Sequence, residues 1–145
     1  FGPWERLQQV SATSDLVLLD LKHMDDEQHK RYTGVSNKSI LENAKKLASE
    51  RANAHSESEG IWIRIPIIPG YNDDPAELAA IADLLHGLKG LWRIELLPFH
   101  HLGAGKYESL GLEYACAGLS TPSPDFMQDV AQSFADLGLP VHAKR

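Results

Sequence analysis

The 145 residues carry 20 Asp and Glu against 14 Lys and Arg, a formal net charge of −6, which argues against a nucleic-acid surface because that needs clustered basic residues. With 43% hydrophobic and 23% charged residues, the chain reads as one soluble globular domain over residues 1–145, with no apolar run long enough for a membrane helix and no visible signal peptide. One cysteine, Cys116, excludes an intrachain disulfide and a multi-cysteine metal site; it reads as a small buried hydrophobe, and cytoplasmic residence is the expectation.

The first strand signal is Leu16-Val17-Leu18-Leu19, an aliphatic run bounded by polar residues, which reads as a buried parallel strand. Asp20-Leu21-Lys22-His23-Met24-Asp25 closes it. A helical pattern follows in Ile40, Leu41, Ala44, Leu47 and Ala48, with Ser36 or Asn37 as its cap. The polar segment Arg51 to Gly60 reads as a surface loop. Ile61-Trp62-Ile63-Arg64-Ile65 is a second strand, which the following prolines are expected to stop. Asn72-Asp73-Asp74-Pro75 starts a helix with an acidic cap and a proline in its first turn. Leu78, Ile81, Ala82 and Leu85 form its apolar face, and Gly87 or Gly90 ends it.

Trp92-Arg93-Ile94-Glu95-Leu96-Leu97 is a third strand, ended by Pro98, and a loop rich in Gly and His runs from Phe99 to Gly111. A last helix starts near Thr121-Pro122-Ser123-Pro124, carries Phe126, Met127, Val130 and Phe134, and stops at Gly138. Leu139 to His142 then reads as a short final strand. Alternating strands and helices imply an α/β fold with a parallel sheet and crossover helices. Three such units cannot close an eight-stranded barrel, so the alternatives are a small open sheet or part of a larger barrel. The start at Phe-Gly-Pro-Trp rather than Met favours the second and suggests a processed, trimmed or excised chain.

Each strand delivers polar residues near its carboxyl end, where α/β folds place their chemistry. The first gives Asp20 and Lys22, which share a side because residues two apart in extended chain point alike. The second gives Arg64 and the third His100. Lys and Arg bind a carboxylate, and Asp can receive an amine or a metal ion, so this set suits an anionic or zwitterionic ligand. The plainer alternatives are a solvated charge pair, an outward-pointing Arg64 and an ordinary loop histidine. Gly103-Ala104-Gly105-Lys106 lacks the spacing and the Ser/Thr of a phosphate loop, and no Gly-x-Ser-x-Gly elbow is present. His55, His86 and His142 are scattered and are assigned to no metal.

In order and spacing, four segments resemble one family: Asp15 to Asp25, Tyr32-Thr33-Gly34-Val35-Ser36-Asn37, Trp62 to Asp73, and Leu96-Leu97-Pro98-Phe99-His100. They are similar to the carboxyl-terminal half of glycyl-radical-enzyme activating enzymes, the pyruvate formate-lyase activators among them. The resemblance implies three β/α units of a partial (β/α)6 radical S-adenosylmethionine (SAM) barrel with helices outside. It also implies an oxidoreductase in which a [4Fe–4S] cluster cleaves SAM and the 5′-deoxyadenosyl radical takes a hydrogen from a glycine of a partner enzyme. Asp20, Leu21, Lys22, Arg64 and His100 are then the SAM-contacting residues, and the implication extends to a monovalent cation held with Asp20.

The resemblance also has a gap. The family's Cys-x3-Cys-x2-Cys motif and its glycine-rich methionine grip are absent, so the cluster is not expected in this chain, which alone is expected to be inactive. An unpaired edge beside the first strand makes self-association a hypothesis. Two other readings stand beside it. Asp20-x-Lys22-x-x-Asp25 also matches the Asp-x-Lys-x-x-Asp pattern of orotidine-phosphate decarboxylases, with Lys as proton donor. Alternatively, the chain is a non-catalytic domain that docks a glycyl-radical partner.

Overall fold

Four isoleucines, Ile61, Ile63, Ile65 and Ile67, alternate with Trp62, Arg64 and Pro66, and this period-two pattern sorts the molecule into a packed face and a polar face. A computed structural model describes residues 2–53 and 60–143. Its strands are β1 (Val17–Asp20), β2 (Ile61–Ile67), β3 (Leu91–Pro98) and β4 (Val141–Ala143), all parallel in the order β1-β2-β3-β4. The helices are α1 (Trp4–Ser11), α2 (Asp26–Thr33), α3 (Lys38–Glu50), α4 (Pro75–His86), α5 (Ala104–Ser109) and α6 (Pro124–Asp136), with a 3-10 turn at His101–Gly103.

The isoleucines of β2 are fully buried, and with Ile94 and Leu96 of β3 they meet Leu47 of α3, Ile81 and Leu85 of α4, and Phe134 of α6. Burying each such side chain contributes roughly 1.5–3 kcal/mol. This is the parallel α/β architecture expected from the sequence. The opposite face carries Leu18, Asp20, Trp62, Arg64, Arg93 and Glu95. Strand register sets Asp20 beside Arg64 and Arg64 beside Glu95, and the Arg93 guanidinium lies 4.5 Å from the Trp62 ring centroid.

The helix starts at Asp74-Pro75 and Ser123-Pro124 stand as read. The Asp74 side chain accepts the amides of Ala76 and Glu77, and Ser123 accepts that of Phe126. After α4 the chain turns through Gly87, then Gly90 at φ 75, where a Cβ would run into the Arg51 carbonyl.

Several expectations need correction. β1 is half-buried rather than buried, with Leu18 45% exposed, because it is the edge strand. Pro66 does not stop β2 but lies inside it. Its missing N–H points toward β1, whose pairing with β2 ends at Asp20–Arg64, so little of the ladder is lost there. Asn37 occupies the N-cap of α3 but does not cap it with its side chain. The segment Phe99–Gly111 is not all loop, since it contains the 3-10 turn and α5. Cys116 is half-buried. Helices α1 and α2 were not read from the sequence at all. His55 and most of the Arg51–Gly60 loop lie outside the described residues. Among the described residues, no helix is long and apolar enough to cross a membrane.

Candidate functional site

Asp20 is the last residue of β1, and Arg64 is its register partner on β2. Arg64 Nε and Nη2 both donate to Asp20 Oδ1, at 2.9 and 2.8 Å. Lys22 Nζ reaches the other oxygen, Oδ2, at 3.4 Å. All three side chains remain between a third and a half exposed, so the pair itself adds only about 0–1 kcal/mol to stability. Its value is arrangement: a carboxylate with a cation on each oxygen, facing open space. Leu21 points the other way, into the core, and its amide donates to the Arg64 carbonyl at 2.9 Å. The structure thus brings Asp20, Lys22 and Arg64 together and gives Leu21 a backbone role between them.

A cavity of about 630 Å³ opens beside this group, lined by Asp20, Lys22 and Arg64 together with Arg6, Thr33 and Asn43. His29 also lines it. Its Nδ1 lies 2.7 Å from the Val35 carbonyl, which can only accept, so Nδ1 carries the proton there. His100 is not among the lining residues. It is exposed beyond β3, and its Nδ1 accepts the Leu102 amide at 3.3 Å.

The chain after β1 is held by buried polar side chains whose role here the sequence reading did not identify. Asn72 Nδ2 donates to the carbonyls of Lys22 and Pro66, at 2.9 and 2.7 Å, while Asn72 Oδ1 accepts the Ile68 amide at 2.8 Å. Asn37 Nδ2 donates to the carbonyls of His23 and Met24 at 2.9 and 2.7 Å. Glu77 Oε1 accepts the Met24 amide at 2.5 Å, and its Oε2 lies 3.2 Å from His23 Nδ1. The same His23 nitrogen is 3.0 Å from the Asp25 amide, so it accepts from Asp25 when unprotonated and donates to Glu77 when protonated. Burial pushes the Glu77 carboxyl above its ordinary range, with the Met24 amide and His23 opposing. The only sequence signal for these residues was their polarity within segments that otherwise pack.

The remaining carboxylates nearby are committed to structure. Asp25 caps α2 by accepting the Gln28 amide at 2.7 Å, which removes it from the role that an Asp-x-Lys-x-x-Asp decarboxylase would need. Asp26 accepts from Ser36 Oγ at 2.5 Å, from the Asn37 amide at 3.0 Å and from Lys30 at 2.9 Å. The Ser36 and Lys30 contacts hold its carboxyl well below the usual range. Among the described residues, no group of three or more His, Cys, Asp or Glu is placed to hold a metal ion. With Cys116 as the sole thiol, these residues do not fit a [4Fe–4S] cluster. They do fit a zwitterionic ligand, for which Asp20 supplies acceptors and Lys22 and Arg64 supply donors.

The fold has counterparts among solved structures. A domain of pyruvate-formate lyase-activating enzyme from Bacteroides vulgatus superposes with a TM-score of 0.74 and 28% identity, over 97% of this chain and 74% of that one. A radical SAM methyltransferase from Sphaerobacter thermophilus shares the fold alone, with a TM-score of 0.66 and 16% identity over 99% of this chain and 38% of that one. No protein-family model matches the chain.

Sequence comparison narrows the class. The chain is 40% identical over 144 residues to the (2S)-3-sulfopropanediol dehydratase activating enzyme of Klebsiella oxytoca, and 33% identical over 118 residues to the pyruvate formate-lyase-activating enzyme of Staphylococcus aureus. Over most of its length it is homologous to glycyl-radical-enzyme activating enzymes. Those alignments cover 96% and 81% of the chain but only 43% and 44% of the two relatives, so it spans less than half of their length.

Proposed function

We propose that the chain is the carboxyl-terminal part of a radical SAM activase that generates a glycyl radical on a partner enzyme, with Asp20, Leu21, Lys22, Arg64 and His100 forming one wall of the SAM site. The observation that carries this reading is the pair of Asp20, at the end of β1, with Arg64, midway along β2, and Lys22 on the second carboxylate oxygen. It sits in a chain whose relatives are activating enzymes. SAM, when bound, supplies the hydrogen-abstracting chemistry; the residues here bind and orient. Lys22 and Arg64 offer N–H donors to a carboxylate, and Asp20 accepts from an ammonium, a hydroxyl or a monovalent cation. Leu21 closes the wall from behind through its backbone. His100 lies beyond the end of β3 and outside the cavity beside Asp20, so its place in the wall rests on the family resemblance alone.

The cluster is assigned to sequence outside these residues. The isolated chain is therefore expected to hold no [4Fe–4S] cluster and to release no deoxyadenosine from SAM after reconstitution with iron and sulfide. Deoxyadenosine formed by the isolated chain would overturn that division of labour. Binding is tested separately by titrating S-adenosylhomocysteine into the isotope-labelled chain. Shifts confined to Leu21, Lys22 and Arg64, and lost in Asp20→Asn, are the expected result. Shifts that survive Asp20→Asn and Arg64→Gln would place the ligand elsewhere.

A further inference from the structure

The ends of β1 and β2 present a geometric problem. The last ladder bond between them runs from the Leu21 amide to the Arg64 carbonyl. The next donor along β2 on that side would be residue 66, and Pro66 has none. A regular ladder therefore ends at the point where the candidate site requires Lys22 and Arg64 to keep a fixed separation.

Asn72 spans the gap. The residue is 1% exposed, and its one side-chain amide nitrogen donates to the carbonyls of Lys22 on the β1 side and Pro66 on the β2 side. Its oxygen is fixed in turn by the Ile68 amide. Thus the Asn72 side chain has a defined rotamer, satisfied on both atoms, and links two backbones that no longer bond to each other. Lys22 carries the ammonium of the site, and Pro66 lies two residues beyond the guanidinium of Arg64. We propose that Asn72 is a positioning residue, a side-chain replacement for the ladder bonds lost at Pro66, which sets the separation of Lys22 from Arg64. The link itself stands on the geometry alone; its consequence for the ligand rests on the SAM reading above.

The test is amide hydrogen exchange followed by NMR on the full chain, with S-adenosylhomocysteine titrated into the same samples. In Asn72→Ala, exchange at Leu21 and Met24 is expected to rise roughly tenfold, the scale of one lost hydrogen bond. Exchange at Ile94, whose amide bonds to Pro140 on the far side of the sheet, is expected to stay unchanged. Asn72→Asp is isosteric, keeps the acceptor for Ile68 and loses both donors, so it carries the same expectation if the alanine variant does not fold. Pro66→Ala restores an N–H on the β1 side; it should slow exchange at Leu21 in the wild-type background and recover part of the loss in the Asn72→Ala background.

Unchanged exchange at Leu21 and Met24 in both Asn72 variants, or an equal rise at Ile94, overturns the proposal. So does Pro66→Ala without any slowing at Leu21. If the wild-type chain shows no ligand-induced shifts, the SAM reading fails while the exchange result still decides the role of Asn72. If the wild type binds, the variants should weaken binding roughly tenfold through a shifted Lys22, and Pro66→Ala should recover part of that.

Discussion

The connections that follow β1 and β3 leave the same edge of the sheet and are held in opposite ways. After β1, residues 21–25 are fixed by Asn72, Asn37, Glu77 and His23, all buried, each bonded to backbone. After β3, residues 99–123 carry a 3-10 turn, the short α5 and an aromatic group in which His101 meets Phe99 at 4.9 Å and Tyr114 at 5.8 Å. Leu102 there is 83% exposed, and Leu110 and Leu112 are exposed as well. The first connection carries Lys22, whose ammonium lies 3.4 Å from Asp20 Oδ2. The second spends few of its apolar side chains on the fold. One connection is thus fixed by buried polar bonds, and the other is only loosely committed to the fold.

The comparison breaks most decisively at Asn37. Asn37→Ala leaves two carbonyls, the buried one of His23 and the part-buried one of Met24, without their donor. At roughly 1–3 kcal/mol for the buried carbonyl and about 1 kcal/mol for the part-buried one, a loss of about 2–4 kcal/mol is expected in urea unfolding. A loss under about 0.5 kcal/mol, the level of an ordinary surface change, would show that the connection is not held by these bonds.

Glu77 sharpens the same point through pH. Its folded-state pKa is raised by burial above an unfolded value of roughly 4, so the native state favours the neutral carboxyl. Its contribution is complete below that unfolded value and is lost as pH rises through the folded one. Asp26 works in the opposite sense: its lowered pKa contributes stability that is complete above about 4 and disappears on acidification. Wild-type urea midpoints compared with Glu77→Gln should therefore diverge as pH rises above about 4, with the variant losing less. Compared with Asp26→Asn, they should converge as pH falls below it. Parallel pH profiles for the wild type and Glu77→Gln would remove Glu77 from the account.

The sheet was legible because its strands are apolar runs with clear punctuation. The alternation in Ile61 to Ile67 and the caps at Asp74-Pro75 and Ser123-Pro124 are local chemistry, so they survive without knowledge of the fold. The charged group was legible for a related reason: Asp20 and Lys22 lie two apart where one apolar strand ends, and Arg64 interrupts a second, although β2 runs on to Ile67 and so places Arg64 midway along it. Helix α2 was missed because Asp26-Glu27-Gln28-His29-Lys30-Arg31-Tyr32-Thr33 carries almost no apolar periodicity. It is held by its Asp25 cap, by Asp26 contacts to Ser36 and Asn37, and by Gly34 at φ 78. Asn72 and Glu77 were missed because their partners lie 50 and 53 residues away in sequence. A long-range bond from a side chain to a backbone carbonyl leaves no period and no motif.

The charged pair itself should separate function from stability. Arg64→Gln removes both bonds to Asp20 Oδ1, yet the pair is more than a third exposed, so a change of only about 0–1 kcal/mol is expected in thermal unfolding. Ligand affinity, measured by the same S-adenosylhomocysteine titration, should fall roughly tenfold for loss of a charged donor. If stability drops by several kcal/mol while affinity holds, the pair is a structural strut and the ligand site lies elsewhere.

The smallest expected effect falls on the loosely held wall. Leu110→Asn and Leu112→Asn replace exposed apolar side chains, so each should change stability by no more than about 0.5 kcal/mol. The ligand titration should not move either, because neither residue lines the cavity beside Asp20. Thermal unfolding of the double variant checks the first point and the titration checks the second. A large destabilisation would mean that these leucines pack in solution, and the two connections would then differ in chemistry but not in how firmly the fold holds them. A near-zero effect on both measurements leaves apolar surface that the fold does not use, beside a connection held by buried hydrogen bonds.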